Sequence, residues 1–139
     1  MKSGPIVIIE DDADDREILQ DILQDIHIRN KLVWFPRADE AFSYLKTSGE
    51  SPFIILCDIN LPGQNGIEFK RQLDADPQLR TKSIPFIFYS TAVNQEAVNE
   101  AYTRMTVQGF FQKGNNYEEM KKDIQLILDY WNVCQHPNT

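Results

Sequence analysis

The chain alternates between short runs of apolar residues and longer segments in which apolar residues recur at helical spacing. Residues 6–9 and 53–57 are apolar at every position, which is typical of strands buried on both faces of a parallel sheet. Shorter apolar runs predict three further strands at residues 31–35, 86–89 and 109–112. Five strands that alternate with helices predict an α/β fold, in which right-handed crossovers place helices on both faces of one parallel sheet.

The helical spacing of apolar residues predicts five helices, at residues 13–27, 39–46, 67–75, 95–106 and 117–133. Asp12 or Asp14 is placed to cap the N-terminus of the first helix. Residues 76–83 are interpreted as a long connection before the fourth strand, and residues 134–139 as a short C-terminal tail that frays. The sequence therefore predicts one domain over residues 4–133 with no output domain.

Composition and charge restrict the classes of partner. The 139 residues, of which 42% are hydrophobic, are enough for one domain with a substantial core. The net charge of −7 disfavours nucleic acid or an anionic membrane as a direct partner. No apolar run is long enough to cross a bilayer, and the N-terminus lacks the apolar run of a signal peptide. Cys57 and Cys134 do not form a C-x-x-C pair, so a reducing cytoplasm is the expected location.

Acidic residues follow two of the predicted strands directly. Glu10 and Asp11 come after the first strand, and Asp58 comes after the third. In an open α/β sheet, ligands bind beyond the carboxyl ends of the strands, so we expect these three carboxylates to meet at one edge. Clustered carboxylates repel one another unless a cation lies among them. Oxygen ligands suit Mg²⁺, Ca²⁺ or Mn²⁺ better than Zn²⁺, and the sequence therefore predicts a site for a hard divalent cation.

Further residues follow the last three strands: Asn60, Pro62 and Gly66 after the third strand, Thr91 and Ala92 after the fourth, and Lys113 after the fifth. Together with the acidic residues, this set resembles the receiver domains of bacterial response regulators along nearly the whole chain. The resemblance implies a flavodoxin-like, doubly wound sheet of five parallel strands in the order 2-1-3-4-5.

The resemblance assigns a role to each acidic residue. Asp58 is expected to be the phosphoacceptor, a carboxylate nucleophile that forms an acyl phosphate. The cofactor is expected to be Mg²⁺, bound directly by Asp11, Asp58 and the main-chain carbonyl of Asn60. Glu10 is expected to act through a water molecule bound to the metal. The chain is not expected to be an enzyme beyond its own phosphoryl transfer and dephosphorylation.

The resemblance also assigns roles to residues after the last two strands. Lys113 is expected to contribute a second positive charge next to the phosphoryl group. The Thr91 hydroxyl is expected to hydrogen-bond a phosphoryl oxygen. Ser90 competes for that role, and Thr91 is preferred because Ala92 follows it, as in the family pattern. Phe110 lies where many members have a switch tyrosine or histidine, and it has no hydroxyl to donate.

The resemblance further implies the partners. A histidine kinase or a histidine phosphotransfer protein is expected to donate the phosphoryl group to a stand-alone receiver. Signalling is expected to proceed through altered binding to a downstream protein, or through a homodimer. The expected surface consists of the fourth predicted helix, the fifth strand and the last predicted helix.

Two alternative functions remain open from the sequence. A Mg²⁺-dependent phosphohydrolase with an aspartyl nucleophile typically has a second carboxylate two residues after the nucleophile, where this chain has Asn60. A binding module that does not use phosphorylation is the other alternative. Asp12, Asp14 and Asp15 are interpreted as solvated acidic residues that interact with the dipole of the first helix.

Overall fold

The computed structural model describes residues 2–91 and 94–137. Its sheet has five parallel strands in the order β2-β1-β3-β4-β5, which confirms the predicted fold class and strand order. The strands are β1 (Ile6–Ile9), β2 (Leu32–Phe35), β3 (Ile54–Cys57), β4 (Phe86–Ser90) and β5 (Gly109–Gln112). Ala92, part of the sequence pattern after the fourth strand, lies outside the described residues.

Within residues 2–91 and 94–137, six helices connect and cover the strands, where five were predicted. They are α1 (Ala13–Asp25), α2 (Ala38–Thr47), α3 (Gly66–Ala75), α4 (Pro77–Lys82), α5 (Gln95–Arg104) and α6 (Tyr117–Val133). In the described part of the chain, no helix is both long enough and apolar enough to cross a membrane. Of the five predicted helices, the fourth corresponds to α5 and the last corresponds to α6.

The additional helix α4 corrects the interpretation of residues 76–83 as a plain connection. Asp76 accepts a hydrogen bond from the Leu79 main-chain N–H at 3.1 Å, and Pro77 occupies the first helical position, where its missing N–H costs nothing. The Asp76 carboxylate also lies 2.9 Å from Lys46 Nζ, which ties the start of α4 to α2. A six-residue helix is too short to show a helical periodicity of its own.

The sheet separates two apolar cores. Val7 and Ile9 point into the core beneath α2, α3 and α5, whereas Ile6 and Ile8 point into the core beneath α1 and α6. This alternation follows from the period of two in a strand, and both faces of the sheet carry apolar residues because helices cover both faces. The carboxyl ends of β1, β3, β4 and β5 consequently lie along one edge, where the polar residues after each strand meet.

The C-terminal tail is not frayed at His136, contrary to the prediction from sequence. The His136 side chain is buried, and its Nε2 lies 2.7 Å from the carbonyl oxygen of Phe53. The two rings are also in tilted contact, with centroids 5.7 Å apart. The chain after α6 therefore packs against the start of β3, on the opposite edge of the sheet from the acidic residues.

Candidate functional site

The ammonium of Lys113 is buried among three carboxylates at the carboxyl edge of the sheet. Its Nζ donates to Asp15 Oδ2 at 2.9 Å, to Asp58 Oδ2 at 3.0 Å and to Glu10 Oε1. The side chains of Lys113 and Glu10 are each only 2% exposed, so this is a desolvated ion cluster rather than a surface salt bridge. A lysine has three N–H donors, and all three have an acceptor here.

The Asp58 carboxylate is held on both oxygens. Its Oδ1 accepts from the Ser90 hydroxyl at 2.7 Å and from the Asn60 main-chain N–H at 3.1 Å, and its Oδ2 accepts from Lys113. Asp58 is buried, with 7% of its surface exposed at the edge of the sheet. This arrangement fixes the direction of the carboxylate and leaves it ionised.

Ser90 supplies the hydroxyl next to the Asp58 carboxylate, whereas the sequence analysis preferred Thr91 over Ser90. Strand β4 continues to Ser90, one residue further than predicted, and this residue is fully buried beside the end of β3. Thr91 follows the strand and is exposed. The preference rested on the small residue after Thr91, whereas the end of the hydrogen-bonded strand determines which hydroxyl faces Asp58. The Lys113 N–H donates to the Ser90 carbonyl at 2.9 Å and marks that end.

The pKa values in the cluster move in opposite directions. Burial raises the pKa of Glu10 to about 7, against the lowering effect of Lys113. Burial would also raise the pKa of Asp58, but the hydrogen bond from Ser90 and the charge of Lys113 outweigh it and hold that pKa below its usual value. Burial would lower the pKa of Lys113, yet Glu10 and Asp58 raise it above the usual value, so the ammonium stays charged. The site therefore combines an ionised carboxylate with a fixed cation.

Gly66 allows the loop after β3 to close against Asp58. A Cβ at this position would lie 2.3 Å from the main-chain carbonyl oxygen of Asp58, a distance that no side chain can occupy. The Gly66 N–H donates to the Ile59 carbonyl at 2.8 Å, and Asn65 caps α3 in a reciprocal capping box with Glu68. A glycine is thus required at position 66 because the backbone there lies so close to the backbone of Asp58. The sequence pattern alone does not reveal this contact.

The oxygen ligands at this edge fit a hard divalent cation. Glu10, Asp15 and Asp58 each offer a carboxylate oxygen, and these atoms lie within 4.8 Å of one another. The composition of this group differs from the prediction in one member. Asp11 is exposed and lies outside it, while Asp15, which was interpreted as a solvated helix residue, lies inside it. Sequence reasoning missed Asp15 because this residue lies in the first turn of α1 and not directly after a strand, where the prediction looked for site residues.

Comparison with known proteins finds a family match along most of the chain. The family model of the response regulator receiver domain matches residues 6–125. Response regulator Rcp1 of Synechocystis sp. is 28% identical over 131 residues, covering 91% of this chain and 87% of that protein. Chemotaxis protein CheY-3 of Vibrio cholerae is 25% identical over 129 residues, covering 92% of this chain and 94% of that protein.

Solved structures with the same fold include two that are informative about the site. The phosphorylated cyanobacterial phytochrome response regulator RcpA superposes with a TM-score of 0.84 at 26% identity, covering 96% of this chain and 98% of that one. The Mn²⁺-bound form of response regulator Rcp1 superposes with a TM-score of 0.84 at 26% identity, covering 96% of this chain and 99% of that one. The similarity thus extends over almost the full length of both chains in each pair.

Proposed function

Because this chain belongs to the response regulator receiver domain family, we propose that it is a phosphorylation switch whose phosphoacceptor is Asp58. The observation that carries the proposal is the double anchoring of the Asp58 carboxylate by Ser90 on one oxygen and Lys113 on the other. A carboxylate nucleophile must be ionised and correctly oriented, and both conditions hold here. The similarity of this chain to the structure of a phosphorylated response regulator supports the same role.

The proposed reaction is transfer of a phosphoryl group from a phosphohistidine of a histidine kinase or a histidine phosphotransfer protein. One Asp58 oxygen forms a bond to phosphorus, the bond from phosphorus to the donor nitrogen breaks, and the electron pair of that bond returns to the nitrogen. Lys113 and the Ser90 hydroxyl lie where they can stabilise the negative charge on the phosphoryl oxygens. We propose a cytoplasmic location, because such donors act there.

We propose Mg²⁺ as the cation, held by Asp58, Asp11 and the Asn60 main-chain carbonyl, with Glu10 acting through a bound water. A divalent cation would supply positive charge next to the phosphoryl group. Asp11 is exposed next to the buried Glu10, so its side chain is free to turn towards the cluster. The Mn²⁺-bound structure of a relative supports a divalent cation in this family.

We propose that the response to phosphorylation passes through Phe110 to the surface formed by α5, β5 and α6. Phe110 is half-buried and its ring packs against Phe88, with centroids 5.3 Å apart. Ser90 lies two residues after Phe88, on the same face of β4, because strand side chains alternate. A phosphoryl group that draws Ser90 towards itself changes the packing at this end of β4, and Phe110 rotates inward.

This route is tested by hydrogen exchange over residues 95–112, with and without the phosphoryl mimic beryllofluoride. Phe110→Ala should still form the acyl phosphate but lose the exchange change in that segment. Phe111→Ala is the control, because Phe111 follows on β5 and packs into the core on the other face of the sheet. An undiminished exchange change in Phe110→Ala would contradict the route.

The function itself is tested with a small phosphodonor, such as phosphoramidate, in the presence of Mg²⁺. The chain should form one labile acyl phosphate, and Asp58→Asn, which retains the side-chain shape but removes the nucleophile, should form none. Sustained hydrolysis of phosphate esters would instead identify a phosphohydrolase. A chain that neither labels nor hydrolyses would be a binding module that does not use phosphorylation.

A further inference from the structure

Asp15 occupies a defined position in the site, although the sequence pattern places it among solvated helix residues. Its main-chain N–H donates to the Asp12 carboxylate at 3.0 Å, so the helix cap fixes its backbone in the first turn of α1. Its side chain is 29% exposed and contacts Lys113 at 2.9 Å. Asp15 therefore joins the start of α1 to the end of β5 through the ammonium of Lys113.

We propose that Asp15 is a positioning residue for Lys113, an inference that rests on the proposed function of Asp58. Two of the three N–H donors of the ammonium go to Glu10 and Asp15. Because the three donors have a fixed tetrahedral arrangement, these two contacts direct the third N–H at Asp58 Oδ2, where it is observed at 3.0 Å. Glu10 alone would let the ammonium rotate about a single contact, whereas two carboxylates set its orientation.

The same two contacts can persist when the phosphoryl group arrives. The third N–H passes from Asp58 Oδ2 to a phosphoryl oxygen, and the donors to Glu10 and Asp15 stay in place. Lys113 then needs no reorganisation during the reaction, which is how a preoriented charge lowers a barrier. Asp15 also faces solvent on one side, so it contributes this orientation without the full desolvation cost of a third buried carboxylate.

The proposal is tested with Asp15→Ala and Asp15→Asn, and with Asp14→Ala as the matched control. Asp14 is an exposed neighbour in the same helical turn and carries the same charge, so its variant reproduces the loss of one negative charge at the start of α1. Asp15→Ala should lower the initial rate of phosphorylation by phosphoramidate about tenfold, below the roughly hundredfold cost of a 1 Å misplacement. Asp15→Asn retains an acceptor oxygen and should recover part of the rate, and Asp14→Ala should leave the rate unchanged.

Two further measurements separate orientation from a general charge effect. In a Lys113→Ala background, Asp15→Ala should have no additional effect on the rate, because the group that it positions is absent. In the unphosphorylated protein, the Lys113 ammonium should give a slowly exchanging ¹⁵N signal, and Asp15→Ala should accelerate that proton exchange while Asp14→Ala does not.

Each outcome decides the proposal. Equal rate effects of Asp14→Ala and Asp15→Ala, or an effect of Asp15→Ala that persists without Lys113, would overturn it. If the wild-type protein were not phosphorylated at all, the proposed function would fail. The ammonium exchange would still decide whether Asp15 orients Lys113, because unchanged exchange in Asp15→Ala would overturn the inference by itself.

Discussion

The hydroxyl that interacts with Asp58, the proposed phosphoacceptor, can be identified by removing two neighbouring hydroxyl groups separately. Ser90 is fully buried and donates to Asp58 Oδ1 at 2.7 Å, whereas Thr91 is exposed. In Ser90→Ala the Asp58 carboxylate keeps its hydrogen bonds from the Asn60 N–H and from Lys113. It loses the shortest of its three hydrogen bonds, the one from the Ser90 hydroxyl. Thr91→Ala leaves these contacts intact. The two variants should therefore differ clearly although they are adjacent in the chain.

The magnitude follows from the charge on Asp58. A hydrogen bond to a charged group contributes roughly 1.5–3 kcal/mol, so Ser90→Ala should lower the free energy of unfolding by about 2 kcal/mol. A substitution at an exposed site such as Thr91 should change it by less than about 0.5 kcal/mol. The free energy of unfolding of a small protein falls by about 2 kcal/mol for each molar of urea. The urea midpoint of unfolding for Ser90→Ala should therefore fall by about 1 M.

Urea denaturation followed by tryptophan fluorescence measures both variants, and an Asp58→Asn background completes a double-mutant cycle. With an amide at position 58 the hydrogen bond is neutral, so Ser90→Ala should then cost only about 1 kcal/mol. Ser90→Ala should also slow phosphorylation, because the oriented hydroxyl is lost. Equal midpoints for Ser90→Ala and Thr91→Ala, or a larger effect of Thr91→Ala, would refute the assignment of Ser90.

Two other substitutions test the loop after β3 and a buried ion pair at the opposite edge of the sheet. Gly66→Ala should destabilise the fold by more than about 2 kcal/mol and slow phosphorylation, since its Cβ would lie 2.3 Å from the Asp58 carbonyl oxygen. Thermal unfolding measures this against Gly49→Ala, whose Cβ meets no atom within 4 Å, and equal melting temperatures would contradict the reasoning. Asp74→Ala should cost about 3 kcal/mol in urea denaturation, because Lys70, whose side chain is only 6% exposed, loses its ion-pair partner at 2.9 Å. A urea midpoint for Asp74→Ala equal to that of the wild type would show that this ion pair contributes nothing to stability.

The sheet and its functional edge were predictable because their cause is local. Residues 6–9 and 53–57 are apolar throughout, and such runs are typical of strands covered on both faces. Once these strands are parallel and adjacent, Glu10 and Asp58 must lie at one edge, and the residue after β5, Lys113, joins them. The apolar pattern, together with the strand order that the resemblance implies, therefore predicts that the carboxylates and the Lys113 ammonium converge.

The remaining details depend on geometry that the sequence does not encode locally. Whether Ser90 or Thr91 faces Asp58 depends on a strand end that shifts by one residue, and a one-residue shift exchanges the faces of a strand. Asp15 belongs to the site because the first turn of α1 lies next to Lys113, so that the Asp15 carboxylate contacts the ammonium. This contact joins distant parts of the chain. The short helix α4 is held by its contacts with α2 rather than by its own periodicity.

The central claim is that Asp58 accepts a phosphoryl group, and reductive trapping tests it most directly. The protein is incubated with phosphoramidate and Mg²⁺, then treated with borohydride, which reduces an acyl phosphate to an alcohol. Peptide mass spectrometry should find homoserine in place of aspartate at position 58 and at no other carboxylate, and only after phosphodonor treatment. Homoserine at Asp11 or Asp15 instead, or no reduction product at all, would contradict the assignment of Asp58.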